Sequence, residues 1–303
     1  MKFGGHETFH IREGWLHKGL RLLVESKDSY SDPYLADSLG VGRNMAKSIK
    51  FWLRRTGLAY ASGQGKNSVM LPTPIAEIIW ENDKYFLEPY TWWVLHTNLV
   101  QGDDPPAAWF WFYNHFNLTR FTKSVCVEGF TRFLQASNAR MPSERTLERD
   151  ISCLLSSYAR DIPPRNDDPE DAYLSPFVSL GILTHYRGSG YYEVDKSQKD
   201  IPSAALLYAL SSSLYKWHNS EHSSECLLTD AARKTNSPGR TMMLTSETLY
   251  EALHNAESEL NSEILTTRRL AGERQIYIKP DSPAFYLAKG YEILSTKRES
   301  HVA

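Results

Sequence analysis

The sequence predicts a mainly helical chain with small β-wings, built as tandem winged-helix (helix-turn-helix) modules around an aromatic helical hub. Three observations carry that expectation. Two stretches read as helix, helix and then a pair of short strand-like runs; a glycine-bearing turn joins two helical segments near the N-terminus; and tryptophan, phenylalanine and tyrosine crowd the helical segments between the two stretches.

The first helix is expected over Gly14 to Glu25, with Trp15, Leu16, Leu20, Leu22 and Leu23 supplying an apolar stripe. Tyr34 to Leu39 forms the next, Gly40-Val41-Gly42 the turn, and Arg43 to about Thr56 the long helix of the motif. At about 100° per residue, Arg43, Lys47, Lys50 and Arg54 fall within about 60° of one another, while Ala46, Ile49, Trp52 and Leu53 gather on the other side. One face can pack on a core while the other offers positive charge spaced to meet a phosphate backbone. Gly57 to Tyr60 stops the helix and starts a strand, Gly63 to Asn67 is a turn with Lys66 at its tip, and Ser68 to Leu71 returns. A basic helix face is also often a merely solvated one, and winged helices also serve as docking modules. Stripe, turn and wing together favour duplex DNA.

Composition bounds the rest. At 303 residues with 41% hydrophobic and 12% aromatic content, the chain is long enough for several cores and too apolar for wholesale disorder. A formal net charge of −2 argues against a protein that coats nucleic acid indiscriminately, so any DNA contact must come from local patches. Apolar runs are too short to span a membrane and the N-terminus lacks a secretory stretch, so a cytoplasmic protein without membrane contact is expected. Cys126, Cys153 and Cys226, odd in number and far apart, fit reduced packing residues rather than a disulfide or metal framework.

Four segments are expected: 1–84 as an N-terminal winged helix, 85–122 as the aromatic connector, 123–200 as a second winged-helix-like domain and 201–303 as a helical C-terminal domain. Pro74 to Trp80 closes the first. The connector holds helices over Thr91 to Val100 and Ala107 to Phe116, and its rings read as core more readily than as a base-stacking platform. The second module pairs a helix over Lys123 to Gln135 with one over Glu144 to Tyr158 capped by Ser143, followed by a loop over Asp161 to Asp171 and a hairpin ending in Tyr191 to Val194. Arg145 and Arg149 on the helix and Arg187 at the hairpin turn are its candidate DNA contacts, weighed against a docking wing because Glu144 and Glu148 lie alongside. Beyond it, helices are expected over Ala204 to Trp217, Ser224 to Lys234 and Ser246 to Ser258, with a loop at Ser237 to Arg240, a β-pair near residues 264–278 and a frayed tail from Lys297. This last part reads as a third degenerate winged module or a helical cap.

His6-Glu7-Thr8-Phe9-His10 matches H-E-x-x-H, the zinc-protease helix motif, but its place at the chain start, before any cleft, argues against that reading. The same stretch continues as Arg12, Gly14, Trp15, Leu16, Lys18 and Gly19. This pattern of His-Glu-Thr-Phe followed by Arg-x-Gly-Trp-Leu-x-Lys-Gly, leading into a winged helix, resembles the B component of bacterial Ssp DNA phosphorothioation systems.

The resemblance implies a DNA-nicking endonuclease of an anti-phage defence system. It would act beside a cysteine desulfurase, an ATPase and a sulfurtransferase-like enzyme that replaces a backbone oxygen by sulfur on one strand. No nuclease cluster of carboxylates and lysine stands out, so the metal is unknown; Mg2+ or another divalent cation is the expected cofactor, with no organic one. A catalytic set would draw on His6, Glu7, Arg12 and Lys18, with a carboxylate such as Asp37 or Glu13 nearby. The plainer reading has His6 and Glu7 capping the first helix, Phe9 and Trp15 in the core, and Arg12 and Lys18 on phosphate. A non-catalytic adaptor and a transcriptional regulator are the rival functions, and a homodimer is left open.

Overall fold

The computed structural model describes residues 2–25, 34–63, 69–138, 141–162, 175–197, 199–218, 224–260, 263–270 and 272–302. They form a helix-rich chain with small sheets. The fold gathers two compact units, one of Met1–Leu87 with Asn98–Asp195 and the other of Glu88–Thr97 with Lys196–Ala303.

The first unit opens with α1 (Trp15–Glu25), α2 (Leu35–Leu39) and α3 (Arg43–Arg55), followed by a hairpin of β1 (Ala59–Ser62) and β2 (Val69–Pro72) and then α4 (Pro74–Asp83). Gly40 makes the turn between α2 and α3 possible: it sits at φ 65°, left-handed backbone that a side chain would strain, and its N–H and that of Val41 close onto Asp37 and Ala36 carbonyls. The core is the expected one, with Trp15, Leu16, Leu20 and Leu23 of α1 against Ala46, Ile49, Trp52 and Leu53 of α3, all buried. Trp52 is fully enclosed and its indole N–H donates to the Phe9 carbonyl at 3.0 Å. Lys66, expected at the wing tip, lies outside the described residues.

After α5 (Pro89–Gln101), whose residues through Thr97 count with the second unit, the first unit resumes with α6 (Ala107–His115), β3 (Arg120–Thr122), α7 (Lys123–Ala136) and α8 (Glu144–Tyr158). The aromatic run is core, as expected: Trp109, Trp111, Phe112 and Tyr113 of α6 are buried, Trp111 packing on Phe130 of α7 at 5.1 Å. Thr122 and Ser143 cap α7 and α8 by accepting first-turn N–H groups. The sheet differs from a plain hairpin. β4 (Ala159–Ile162), a 3-10 turn over Pro176–Leu180, β5 (Leu183–Tyr186) and β6 (Tyr191–Val194) give strand order β3-β6-β5-β4, with β4 parallel to β5. Asp161, expected to open a loop, is therefore in a strand, because the end of α8 runs straight into the edge of β5.

In the second unit α9 (Ser203–Trp217) is buried along most of its length. The helix expected over Ser224 to Lys234 is split into β7 (Glu225–Leu227) and α10 (Leu228–Arg233), because β9 accepts a second partner strand on its free edge. The loop expected at Ser237 to Arg240 is a short helix, α11 (Pro238–Thr241), which Ser237 caps and Pro238 pre-shapes. Then come α12 (Ser246–Glu259), β8 (Leu265–Leu270), β9 (Glu273–Ile278) and α13 (Pro283–Val302). The three strands lie in the order β7-β9-β8. The expected frayed tail is instead the end of α13 through Val302. Among its residues Lys297 bonds Glu259 at 2.6 Å, which holds the last turns to α12.

Candidate nucleic-acid interface

Helix α3 brings together what its spacing predicts. Arg43, Lys47 and Arg54 are exposed and Lys50 is half-buried, on the side away from the buried Ile49, Trp52 and Leu53. The N-cap is Gly42, with extended backbone and no side-chain cap, so the first turn ends in bare amide groups beside Arg43. Such an end is electrostatically suited to a phosphate oxygen. Arg55, one residue beyond the stripe, is turned inward instead and pairs with Asp104 at 2.5 Å.

The N-terminal motif is tied to α8 through His6. His6 is buried and its Nε2 lies 2.8 Å from Oδ1 of Asp150, on α8. The Thr8 N–H donates to Nδ1 at 3.1 Å, which makes Nδ1 the acceptor and puts the ring proton on Nε2, facing the carboxylate. The Gly4 N–H adds a third bond, 3.1 Å from both Asp150 oxygens. Both nitrogens of His6 are thus committed inside the fold. Gly5 sits at φ +85°, and a Cβ there would come within 2.8 Å of the Phe51 ring on α3, so glycine is required on both counts. The segment is a clasp between α3 and α8.

The other motif residues sit apart from that buried pair. Glu7 is half-buried at φ 50°, Arg12 has its guanidinium 5.4 Å from the rings of both Phe9 and Trp15, and Lys18 is exposed on α1. Helix α1 begins only at Trp15, so His6 and Glu7 do not cap it. The carboxylate that meets His6 is Asp150, whereas the sequence pointed to Asp37 or Glu13, which are exposed. Nothing local in sequence marks Asp150: it sits 144 residues away, and its one signal is a carboxylate on the apolar face of α8 beside Leu147, Ile151 and Leu154.

Arg145 and Arg149 are exposed one turn apart on α8, and Arg187 is exposed at the β5–β6 turn, 3.9 Å from Asp161. Among the described residues no three of His, Cys, Asp or Glu come together to hold a metal ion. Burial raises the thiols of Cys126 and Cys153 and pushes Cys226 up to about 12, and none is joined in a disulfide. Cys126 and Cys153 are buried packing groups, as expected, and Cys226 is half-buried.

Residues 3–291 match the family described as "Protein of unknown function (DUF4007)". The chain belongs to this family. That match spans both units, so the family is defined by the whole arrangement and not by the N-terminal motif alone. Two solved structures share the fold, described as "SspB crystal structure" and "Magnesium ion-bound SspB crystal structure". Each is 23% identical to this member of the family, with a TM-score of 0.82 over 98% of this chain and 87% of the other. No curated protein matches. Among the described residues no helix is long and apolar enough to cross a membrane.

Proposed function

We propose that this protein binds duplex DNA and serves bacterial DNA phosphorothioate modification in anti-phage defence, nicking one strand so that sulfur can be inserted. The observation that carries the reading is the row of Arg43, Lys47, Lys50 and Arg54 on the outer side of a helix whose inner side is wholly buried. Four cations at that pitch follow a phosphate backbone, and each contact displaces a condensed counterion. Arg145, Arg149 and Arg187 extend the basic surface in this reading, with Arg12 and Lys18 as further phosphate contacts; Lys66, outside the described residues, is one more candidate to test.

Topology supports it. We read three winged-helix modules: α1-α2-α3 with the β1–β2 hairpin, α6-β3-α7-α8 with β5–β6, and α9-β7-α10-α12 with β8–β9. In the second and third, the strand before the motif pairs with the last strand of the hairpin, β3 with β6 and β7 with β9, the pattern of a winged sheet. In this reading the sulfur-inserting enzymes are the partners to test and the cytoplasm is the compartment. Mg2+ is kept as a variable, because one similar structure is described as magnesium-bound.

A non-catalytic adaptor is the second reading, favoured by the burial of His6 and the use of both its nitrogens. Supercoiled plasmid incubated with the purified protein, with Mg2+ or with a chelator, separates the two. The proposed function expects open circles; duplex binding without open circles under either condition selects the adaptor.

A further inference from the structure

The second sheet holds a row of side chains that the basic surface does not explain. Strand register places Asp161 of β4 opposite His185 of β5, His185 opposite Tyr192 of β6, and Tyr192 opposite Phe121 of β3, all on one face. The row runs from buried to open. Phe121 is enclosed, the Tyr192 ring lies flat on it at 5.8 Å and 16°, and the His185 ring lies flat on Tyr192 at 4.2 Å and 11°. Asp161 Oδ1 then meets His185 Nδ1 at 2.8 Å, with side-chain exposures of 41% and 21%. Arg187 completes the group: its guanidinium Nε is 3.9 Å from Asp161 Oδ2, and its N–H donates to the Ile162 carbonyl at 3.2 Å, tying the turn to β4.

The contrast with His6 is informative. Both are His–Asp pairs, but the His6 pair is sealed in the core and both its nitrogens are used. His185 donates through Nδ1 to a partly exposed carboxylate, and among the described residues its Nε2 has no hydrogen-bond partner. A ring held by stacking, oriented by a carboxylate through one nitrogen and open at the other is the arrangement of a general base. The parallel strand β4, additional to the hairpin, is what delivers the carboxylate.

We propose that Asp161, His185 and Arg187 form a phosphodiester-cleaving centre acting on the DNA backbone. This rests on the reading that the protein binds and nicks DNA, and names the residues that do the cutting. His185 Nε2 takes a proton from a water whose oxygen forms a bond to phosphorus. The bond from phosphorus to one sugar oxygen breaks, and that oxygen leaves with the electron pair and is protonated by solvent. Asp161 faces the imidazolium so formed, and Arg187 pairs with a non-bridging oxygen. The products are a phosphomonoester and a hydroxyl at the nick, and the imidazolium returns its proton to solvent.

The test uses the full chain on supercoiled plasmid and on a duplex for affinity, each with Mg2+ and with chelator. His185→Asn keeps an N–H that can bond Asp161 and lacks the open nitrogen. The expected result is at least about a 100-fold loss of nicking rate, the lower end of what a positioned base contributes, with melting temperature and duplex affinity close to wild type. Asp161→Asn is expected to slow nicking as well, and imidazole added to His185→Gly is expected to restore part of the lost rate, which a structural pair would not do. Wild-type nicking by His185→Asn, or no rescue of His185→Gly, overturns the assignment while leaving the DNA-cutting reading intact. Absence of nicking by the wild type under both conditions overturns the cutting reading itself, and this centre with it.

Discussion

At the scale of single residues, the two roles of a large side chain near the N-terminus are separable. Trp52 is fully enclosed between the His6, Phe51 and Trp109 rings, so Trp52→Ala is expected to cost about 3 to 5 kcal/mol by leaving a cavity. Chemical denaturation measures this directly; a fully stable variant with lost DNA binding would place the ring on DNA instead. Asp150 holds His6 Nε2 and the Gly4 N–H together. Asp150→Ala leaves the buried His6 Nε2–H and the part-buried Gly4 N–H without their acceptor, at about 1 to 3 kcal/mol for the buried donor and less for the other. The expected signature is a lower melting temperature together with earlier proteolysis ahead of α1. Neither cost depends on whether the protein cuts DNA. His6 and Trp52 were both visible in the sequence, one as a motif and one as an apolar position on a wheel. Their partners were not, because Asp150 and the Phe9 carbonyl reach them only through tertiary contact across the fold.

At the scale of elements, periodicity and capping were the legible signals. The α3 and α8 stripes follow from side-chain spacing alone, and Ser143 before Glu144 announces the start of α8, since a serine there can accept an orphan N–H of the first turn. Thr245 makes the reciprocal version with Thr248 at the head of α12, and Thr245→Ala is expected to cost about 1 kcal/mol, read as a shift in the unfolding midpoint. What spacing cannot reveal is a short strand whose existence depends on a distant edge. β4 and β7 each have only three or four residues and lack alternation strong enough to stand out. Each forms because β5 or β9 leaves backbone groups to pair. The same limit hid His185 and Asp161 as a pair, since only the parallel register of β4 sets them opposite one another. On α3, changing any one of Arg43, Lys47, Lys50 or Arg54 to Ala is expected to lower the slope of log affinity against log salt by about one phosphate contact.

At the scale of the whole molecule, the second unit carries a pH response and the first carries the proposed DNA contact. The second unit buries His96 completely, with its Nε2 2.8 Å from the Thr241 carbonyl. Burial drives that imidazole from 6.5 down to about 4, opposed by the hydrogen bond to Thr241. Between those values the unfolded chain carries a proton that the folded chain does not. Stability from this group is therefore complete above about 6.5 and is lost as pH falls toward 4. The size is about 3 kcal/mol by the usual conversion of pKa to free energy. Thermal melts across that range should show the decline, and His96→Leu should flatten it. DNA binding belongs to the first unit in this account, and its central claim is that α3 meets the phosphate backbone. The measurement that tests it most directly is duplex affinity at several salt concentrations for the wild type and for a variant with Arg43, Lys47, Lys50 and Arg54 all changed to Ala. The expected result is a large loss of affinity at low salt, a salt slope reduced by about four contacts and an unchanged melting temperature. Equal affinity and equal slope for a folded variant would contradict the account.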